Sequence, residues 1–369
     1  MSSLASFPPL PSDAMSWHGF LGSTESWPPP KLTFKSHHPA RPGYASIDAS
    51  EYRDNPSVLL SKVHMLAELI KASNNFLVYS GAGISTNSGI GDYASKSGTR
   101  GVDLMGRSPF LAQPTLSHFV LTKLYSLGYL KEWIQQNHDG LPQKSGLPQS
   151  AINEIHGSWY NPTNPVVQMS GNLRGDLFQR LLEWEDKTDL CLSVGTSMSG
   201  MNSDRVFTGV CGRKMENVQG ALGGIIISSQ KTQHDNLSSL RIFADIDTAL
   251  TMLCEVMEID VPEVKDYRCE EMGGIYVFEG YCGETGRRKE GERMKLDLSI
   301  GAKVKTTSGP KIGMRGTVTS RMKEGHYKIR FEVQLKEGGA MRYIERVLGM
   351  WWLAGAGDGG MEEIPVINF

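Results

Sequence analysis

Four apolar residues, Phe76-Leu77-Val78-Tyr79, run almost directly into Gly81-Ala82-Gly83, and this junction restricts the fold more than any other feature of the chain. A short unbroken apolar run bounded by glycine is the pattern of a strand buried on both faces. Glycines at its end let the backbone turn tightly and approach a ligand closely. Amides at the start of a following helix then face a negative diphosphate in a favourable dipole field. Strand, glycine turn and helix together open a mononucleotide-binding unit. A dehydrogenase fingerprint wants a further glycine near position 86, where Thr86 stands, so hydride-transfer enzymes lose ground.

The surrounding pattern extends this unit. Ahead of the strand, Val58, Leu59, Val63, Leu66, Leu69 and Ile70 recur at helical period on one face. Beyond it, strand candidates at 131–135, 190–194, 224–227 and 241–243 are separated by helix-length stretches. The alternation predicts an α/β fold, a doubly wound Rossmann-like parallel sheet with helices on both faces. After about Asp260 the character changes. Short strand patterns at 303–305, 316–318, 327–331 and 341–343 are separated by turns at Gly309, Gly313, Gly325 and Gly338-Gly339. They predict a C-terminal small β-barrel of SH3 or KOW type.

A chain of 369 residues exceeds what one core usually fills, so more than one module is expected. Residues 1–43, rich in proline and serine, are expected to be disordered or draped over the domain, with Trp17, Phe20 and Trp27 as docking residues. The nucleotide-binding domain is expected over 44–297, the small barrel over 298–353 and a glycine-rich acidic tail over 354–369. A net charge of -2 gives no reason for non-specific binding to nucleic acid or anionic membrane. The five cysteines, Cys191, Cys211, Cys254, Cys269 and Cys282, are scattered with no Cys-x-x-Cys pair, as reduced thiols of an intracellular protein would be. Ile225-Ile226-Ile227 is far too short to cross a bilayer, so no membrane association is expected. No basic stretch precedes an apolar one at the N-terminus, which argues against secretion and for cytoplasm or nucleus, with organellar targeting left open.

A series of short motifs narrows the chemistry. Gly81-Ala82-Gly83-Ile84-Ser85 is followed by Gly89-Ile90-Gly91-Asp92-Tyr93, Gln113-Pro114-Thr115-Leu116-Ser117-His118 and Gln136-Asn137-His138-Asp139-Gly140-Leu141. Glu154-Ile155-His156-Gly157-Ser158 comes next, and Ser193-Val194-Gly195-Thr196-Ser197 ends a strand. This ordered series resembles the sirtuin family of NAD-dependent protein deacylases, over about two thirds of the chain. The resemblance implies NAD as cofactor and an acylated protein lysine as partner, with the acyl group passed to ADP-ribose and nicotinamide released.

The resemblance also assigns roles. His156 is the general base, removing a proton from a ribose hydroxyl, and histidine suits this because its ordinary pKa lies near working pH. Asn137 and Asp139, with Gln136 beside them, hold the nicotinamide carboxamide and stabilise positive charge. Gly81, Ala82, Gly83 and Ser85 line the diphosphate, while Asp92 and Tyr93 match an acid and an aromatic that covers the reacting face. Gly195, Thr196 and Ser197 fit the adenosine ribose region. Ser228 stands where the family usually has an asparagine, and Ile246, within Asp245-Ile246-Asp247, reaches the adenine through its backbone. Val166 and Val167, after Pro165, wall the acyl channel, and Gly171 follows in the peptide groove.

Departures from the family bound what this implies. A zinc ribbon of two Cys-x-x-Cys pairs usually follows the histidine motif. Here residues 158–164 are a short cysteine-free link, so no metal is expected, and a reduced small domain, truncated or held by packing alone, is expected. Gly91 and Ala94 replace a proline and an arginine, and Pro142 replaces a histidine. An NAD hydrolase or ADP-ribosyltransferase on the same site, and a non-enzymatic NAD or ADP-ribose sensor, stand as alternatives. Lys303, Lys305, Arg330 and Arg342 beside Tyr327, Phe331 and Tyr343 leave room for a protein or RNA partner on the barrel. Glu324, Glu332, Glu337 and Glu345 interrupt any basic stripe and favour a plain interaction module.

Overall fold

The computed structural model describes residues 12–39, 47–91, 109–168, 171–198, 200, 202–268, 273–334 and 341–369. Its elements begin with α1 (Ser12–Gly22), β1 (Lys31–Phe34), β2 (Glu51–Arg53), α2 (Pro56–Ala72) and β3 (Phe76–Ser80). They continue with α3 (Leu116–Ser126), β4 (Leu130–Gln135), α4 (Leu141–Lys144), β5 (Ile152–Glu154), α5 (Gly175–Lys187) and β6 (Leu190–Val194). Next come α6 (Arg205–Met215), β7 (Gly223–Ile227), β8 (Leu240–Ile242), α7 (Ile246–Val256), β9 (Ile275–Tyr281) and β10 (Arg288–Asp297). The chain finishes with β11 (Lys303–Thr306), β12 (Arg315–Arg321), β13 (Tyr327–Gln334), β14 (Met341–Leu348), α8 (Met350–Gly357) and β15 (Val366–Asn368).

A six-stranded sheet has the order β5-β4-β3-β6-β7-β8, with β3–β6, β6–β7 and β7–β8 parallel. Every residue of β3, β6 and β7 is buried, as expected of unbroken apolar strands covered on both faces. The strand order reverses between β3 and β6. Loops leaving their carboxyl ends therefore diverge, and that divergence is where open α/β sheets bind ligands.

The chain divides into two compact units, one of residues 1–103, 115–134 and 181–263, the other of 104–114, 135–180 and 264–369. In the first, α2, α3 and α7 pack together and α6 lies against β6 and β7. Val58, Leu59, Val63, Leu66 and Ile70 are buried as the periodicity predicts. Within the segment expected to be disordered, residues 12–39 carry α1 and β1. Phe20 N and Leu21 N donate to Ser238 O and Ser239 O at 2.9 and 2.8 Å, so α1 covers the approach to the edge strand β8. Gly19 has φ +74°, and a Cβ there would stand 2.7 Å from Leu240 Cα, so only glycine permits the approach. Trp17 packs 5.2 Å from Tyr52 and 5.7 Å from Phe243, ring centre to ring centre. Trp17 thus docks within the first unit, whereas Phe20 is exposed.

The same corner holds a buried ion pair. Lys62 Nζ donates to both Asp54 carboxylate oxygens at 2.8 Å, and Phe243 N donates to Asp54 Oδ2 at 2.9 Å. Both side chains are fully buried, which pushes Lys62 down to about 8 and Asp54 up. No helix among the described residues is long and apolar enough to cross a membrane.

In the second unit β9 and β10 form an antiparallel hairpin, and a five-stranded antiparallel sheet has the order β14-β13-β12-β11-β15. Among the described residues the expected closed barrel is not seen; β14 and β15 are the edges of that sheet. Tyr160 shares one apolar core with Phe278, Met294, Ile329, Phe331 and Trp351, and residues 135–180 belong with the C-terminal strands to this compact unit. Tyr276, Phe278 and Tyr281 of the hairpin are buried, and the apolar but exposed Ile275 and Val277 beside them hide the alternation in the sequence. Tyr327 and Phe331 are buried in this core and are not available for stacking on bases, while Tyr343 is 59% exposed.

Replacing Lys62 by alanine strands the Asp54 carboxylate in the core and is expected to cost roughly 3–5 kcal/mol. Chemical denaturation checks this, and Lys62→Met should recover part of the loss only when Asp54→Leu accompanies it.

Candidate active site

In the first unit the glycine turn leaves the end of β3 as expected, but the following segment, Ala82–Ser88, is a 3-10 helix rather than an α-helix. Gly81 N donates to Val194 O at 3.1 Å and Gly83 N to Gly195 O at 2.7 Å, joining the loops after β3 and β6. A Cβ on Gly83 would stand 2.7 Å from Gly195 Cα, and one on Gly195, at φ +58°, would stand 2.5 Å from Ile84 N. The two glycines therefore allow backbone to meet backbone at the switch point, and Ala82 beside them is partly exposed. Thr115 Oγ1 donates to Ile84 O at 3.3 Å, and Thr115 and His118 form a capping box at the start of α3. The sequence flagged this motif without a role; its role here is to pin the loop. Ser85 is fully buried.

The remaining candidates of this unit have defined surroundings. Met198 N donates to Thr196 Oγ1 at 3.0 Å, and Gln230 N to Ser228 Oγ at 3.2 Å. Ser197 and Ile246 are partly exposed. Asp245 caps α7 by accepting from Thr248 N at 3.0 Å. Asp247 accepts from Ser117 N at 2.8 Å and Asn87 Nδ2 at 2.9 Å, which makes it a brace between α3, α7 and the loop after β3. Asp92 and Tyr93 lie outside the described residues.

The second unit brings its own candidates side by side. Ile155 N donates to Gln135 O at 3.2 Å, carrying the strand pairing forward into the two loops. His138 Nδ1 lies 2.9 Å from Gly157 O, and Trp159 N donates to His138 O at 2.9 Å. The segment Gln136-Asn137-His138-Asp139 is thus fastened along His156-Gly157-Ser158. Asp139 is 2% exposed, with Oδ1 accepting from Gln135 Nε2 at 3.0 Å and Leu141 N at 3.1 Å. Gln136, Asn137 and His156 are partly exposed.

His156 stands third in a turn closed by Gly157 N donating to Glu154 O at 3.0 Å, and Asn164 Nδ2 donates to the same carbonyl at 2.9 Å. Gly157, at φ +92°, has Pro165 O where a Cβ would be, 2.3 Å away, so the turn requires glycine. Val167 N donates to His156 O at 2.9 Å, which sets Val166 and Val167 next to the histidine. Val166 is 39% exposed, and Gly171 is exposed. Burial pushes the Glu154 carboxyl up to about 7, with hydrogen bonds from Ser158, Gln143 and Gln149 opposing the shift.

Sequence reasoning missed Gln149, Tyr160 and Trp351. Trp351 Nε1 donates to Gln149 Oε1 at 2.9 Å, and a Cβ on Gly140 would stand 2.8 Å from the Trp351 ring and 2.8 Å from the Tyr160 ring. The one signal available was the adjacent Trp351-Trp352 pair. Among the described residues no cluster of three or more His, Cys, Asp or Glu side chains is arranged to hold a metal.

No family model matches the chain. A search of curated proteins finds the NAD-dependent protein deacetylase Sirt6 of Drosophila melanogaster, 26% identical over 269 residues, covering 60% of this chain and 83% of that protein. It also finds the NAD-dependent protein deacetylase sirtuin-7 of Bos taurus, 39% identical over 259 residues, covering 58% of this chain and 64% of that one. The NAD-dependent protein deacetylase SRT1 of Arabidopsis thaliana is 28% identical over 259 residues, of which the match spans only 53% of its length. A solved structure described as the basis for the mechanism and regulation of Sir2 enzymes aligns with a TM-score of 0.44 at 18% identity, over 54% of this chain and 98% of that one. That score is too low to bear on the fold, which rests on the sheet order described above. The relatives agree in kind with the ordered motifs of the sequence, and the chain is similar to proteins named as sirtuins.

Proposed function

We propose that the chain is an NAD-dependent protein-lysine deacylase that passes the acyl group to ADP-ribose and releases nicotinamide. The observation that carries this reading is the fastening of the Asn137–Asp139 segment to the His156–Ser158 turn. It sets a candidate general base and two candidate carboxamide-binding groups on adjoining strands of backbone. Names of the relatives support NAD as the co-substrate. The glycine approach at Gly83 and Gly195 supports a diphosphate-binding turn, since side chains there would stand in the backbone of the opposite loop.

When bound, NAD supplies the sugar carbon from which nicotinamide departs. Gly81, Ala82, Gly83 and Ser85 take the diphosphate, and Gly195, Thr196, Ser197, Ser228 and Ile246 the adenosine half. Asn137 and Asp139, with Gln136, hold the carboxamide, and Asp92 and Tyr93 shield the reacting face. His156 removes a ribose hydroxyl proton, and its position in a glycine-closed turn fixes where the imidazole starts. Val166, Val167 and Gly171 receive the acyl-lysine segment of a protein. The chain is read as a sirtuin without a zinc ribbon, its second unit supported by the apolar core around Tyr160 and Trp351. Cys191, Cys211, Cys254 and Cys282 are buried free thiols, which supports a reducing, intracellular setting.

The test is incubation of the full chain with NAD and a mixed set of acyl-lysine peptides, with products identified by mass spectrometry. Nicotinamide together with acyl-ADP-ribose supports the reading. Free ADP-ribose or ADP-ribosylated protein without acyl transfer supports instead a hydrolase or transferase on the same residues, which Gly91 and Ala94 favour because a family arginine is missing there. His156→Ala is expected to lower turnover on the order of 100- to 10,000-fold with NAD affinity retained. Turnover within a few-fold of the parent would remove the base from His156. Gly83→Ala is expected to weaken NAD binding at least about tenfold by calorimetry, because its Cβ forces the two loops apart.

A further inference from the structure

In the C-terminal module, Trp351 stands against the loop that carries Asp139. Trp351 is the second residue of α8, is 8% exposed, and lies in the apolar core, with its ring centre 4.9 Å from that of Tyr160 and 5.2 Å from that of His326. The edge of its indole fills the space over Gly140, the neighbour of Asp139. Gly140 itself sits at φ +64°, so the loop there can neither add a side chain nor move toward the ring. Gly349 N donates to Tyr160 O at 2.9 Å and fixes where α8 begins.

The indole N–H makes the second connection. It donates to Gln149 Oε1, which also accepts from Gln143 Nε2 at 3.0 Å. With its oxygen held by two donors, the Gln149 amide has one orientation, and Gln149 Nε2 donates to Glu154 Oε2 at 3.2 Å. Glu154 is 2% exposed and carries the carbonyl that closes the His156 turn. A buried amide with a fixed orientation holds its partner where a rotating one cannot. The neighbouring residue gives the contrast. Trp352 is 7% exposed in the same core, yet its Nε1 is buried with no hydrogen-bond partner.

We propose that Trp351 is a positioning residue for the reaction, holding the Asp139-Gly140 loop by ring contact and the His156 turn through Gln149 and Glu154. The C-terminal module is then a working part of the enzyme rather than a detachable interaction module. The inference rests on the reading of Asp139 and His156 as site residues.

The variants are Trp351→Phe, which keeps an apolar ring and loses the N–H, Gln149→Leu, their combination, and Trp352→Phe as the comparison. Two readouts are taken on the full chain. Amide hydrogen exchange over residues 137–141 and 154–158 needs no catalysis. Trp351→Phe and Gln149→Leu should each raise exchange over 154–158 about tenfold, the double variant no more than either, and Trp352→Phe not at all. Where the parent chain turns over NAD, kcat should fall about tenfold in the first two variants, non-additively in the double, with KM for NAD within about twofold. Unchanged exchange over 154–158 in Trp351→Phe overturns the inference, whether or not the chain is active. So do additive losses in the double variant, or an equal loss in Trp352→Phe. A chain that releases no nicotinamide but shows the exchange pattern sinks the proposed function and leaves the loop-holding role of Trp351 standing.

Discussion

The close contact between the Trp351 indole and Gly140 is the constraint on which the second unit depends. A ring wedged against a left-handed glycine tolerates neither a larger residue at Gly140 nor a smaller one at Trp351 without a cavity. Large-to-small changes of buried aromatics commonly cost about 3–5 kcal/mol for that reason. The same contact fixes Tyr160, and Tyr160 links the 135–180 segment to the core of the C-terminal strands. Because that segment carries Asp139 and His156, packing of the unit and geometry of its site residues are one problem.

The sequence between His156 and Pro165 has no cysteine, and the second unit buries aromatic and aliphatic side chains drawn from residues far apart in sequence. Apolar burial contributes roughly 25 cal/mol per Å2 removed from water, so these rings are a main source of its stability. The first unit is organised differently. Its sheet is held by unbroken apolar strands, and polar groups braced by Asp247 and Thr115 aim its loops.

How much of this was legible depended on range. Phe76–Tyr79 and the strand ending at Val194 could be read because apolar runs, glycine turns and helical period are local signals. The Asn137, Asp139 and His156 motifs could be singled out as candidates because each is a short string in a fixed order. Trp351 could not, since its partners Gly140, Gln149 and Tyr160 lie about two hundred residues away and no local pattern announces such a pairing. The open sheet was read as a closed barrel because short strands and glycine turns look alike in both. The N-terminal segment could be read only as disordered or draped over the domain, because its composition does not say which surface Trp17 meets.

The central claim is that His156 acts on the ribose next to the departing nicotinamide. Its most direct measurement is a crystal structure of the full chain with a non-hydrolysable NAD analogue and an acyl-lysine peptide. The account predicts a His156 ring nitrogen within about 2.6–3.2 Å of a nicotinamide-ribose hydroxyl, directly or through one water. An analogue bound with His156 pointing away from that sugar, or bound at a surface remote from Asn137 and Asp139, would contradict it.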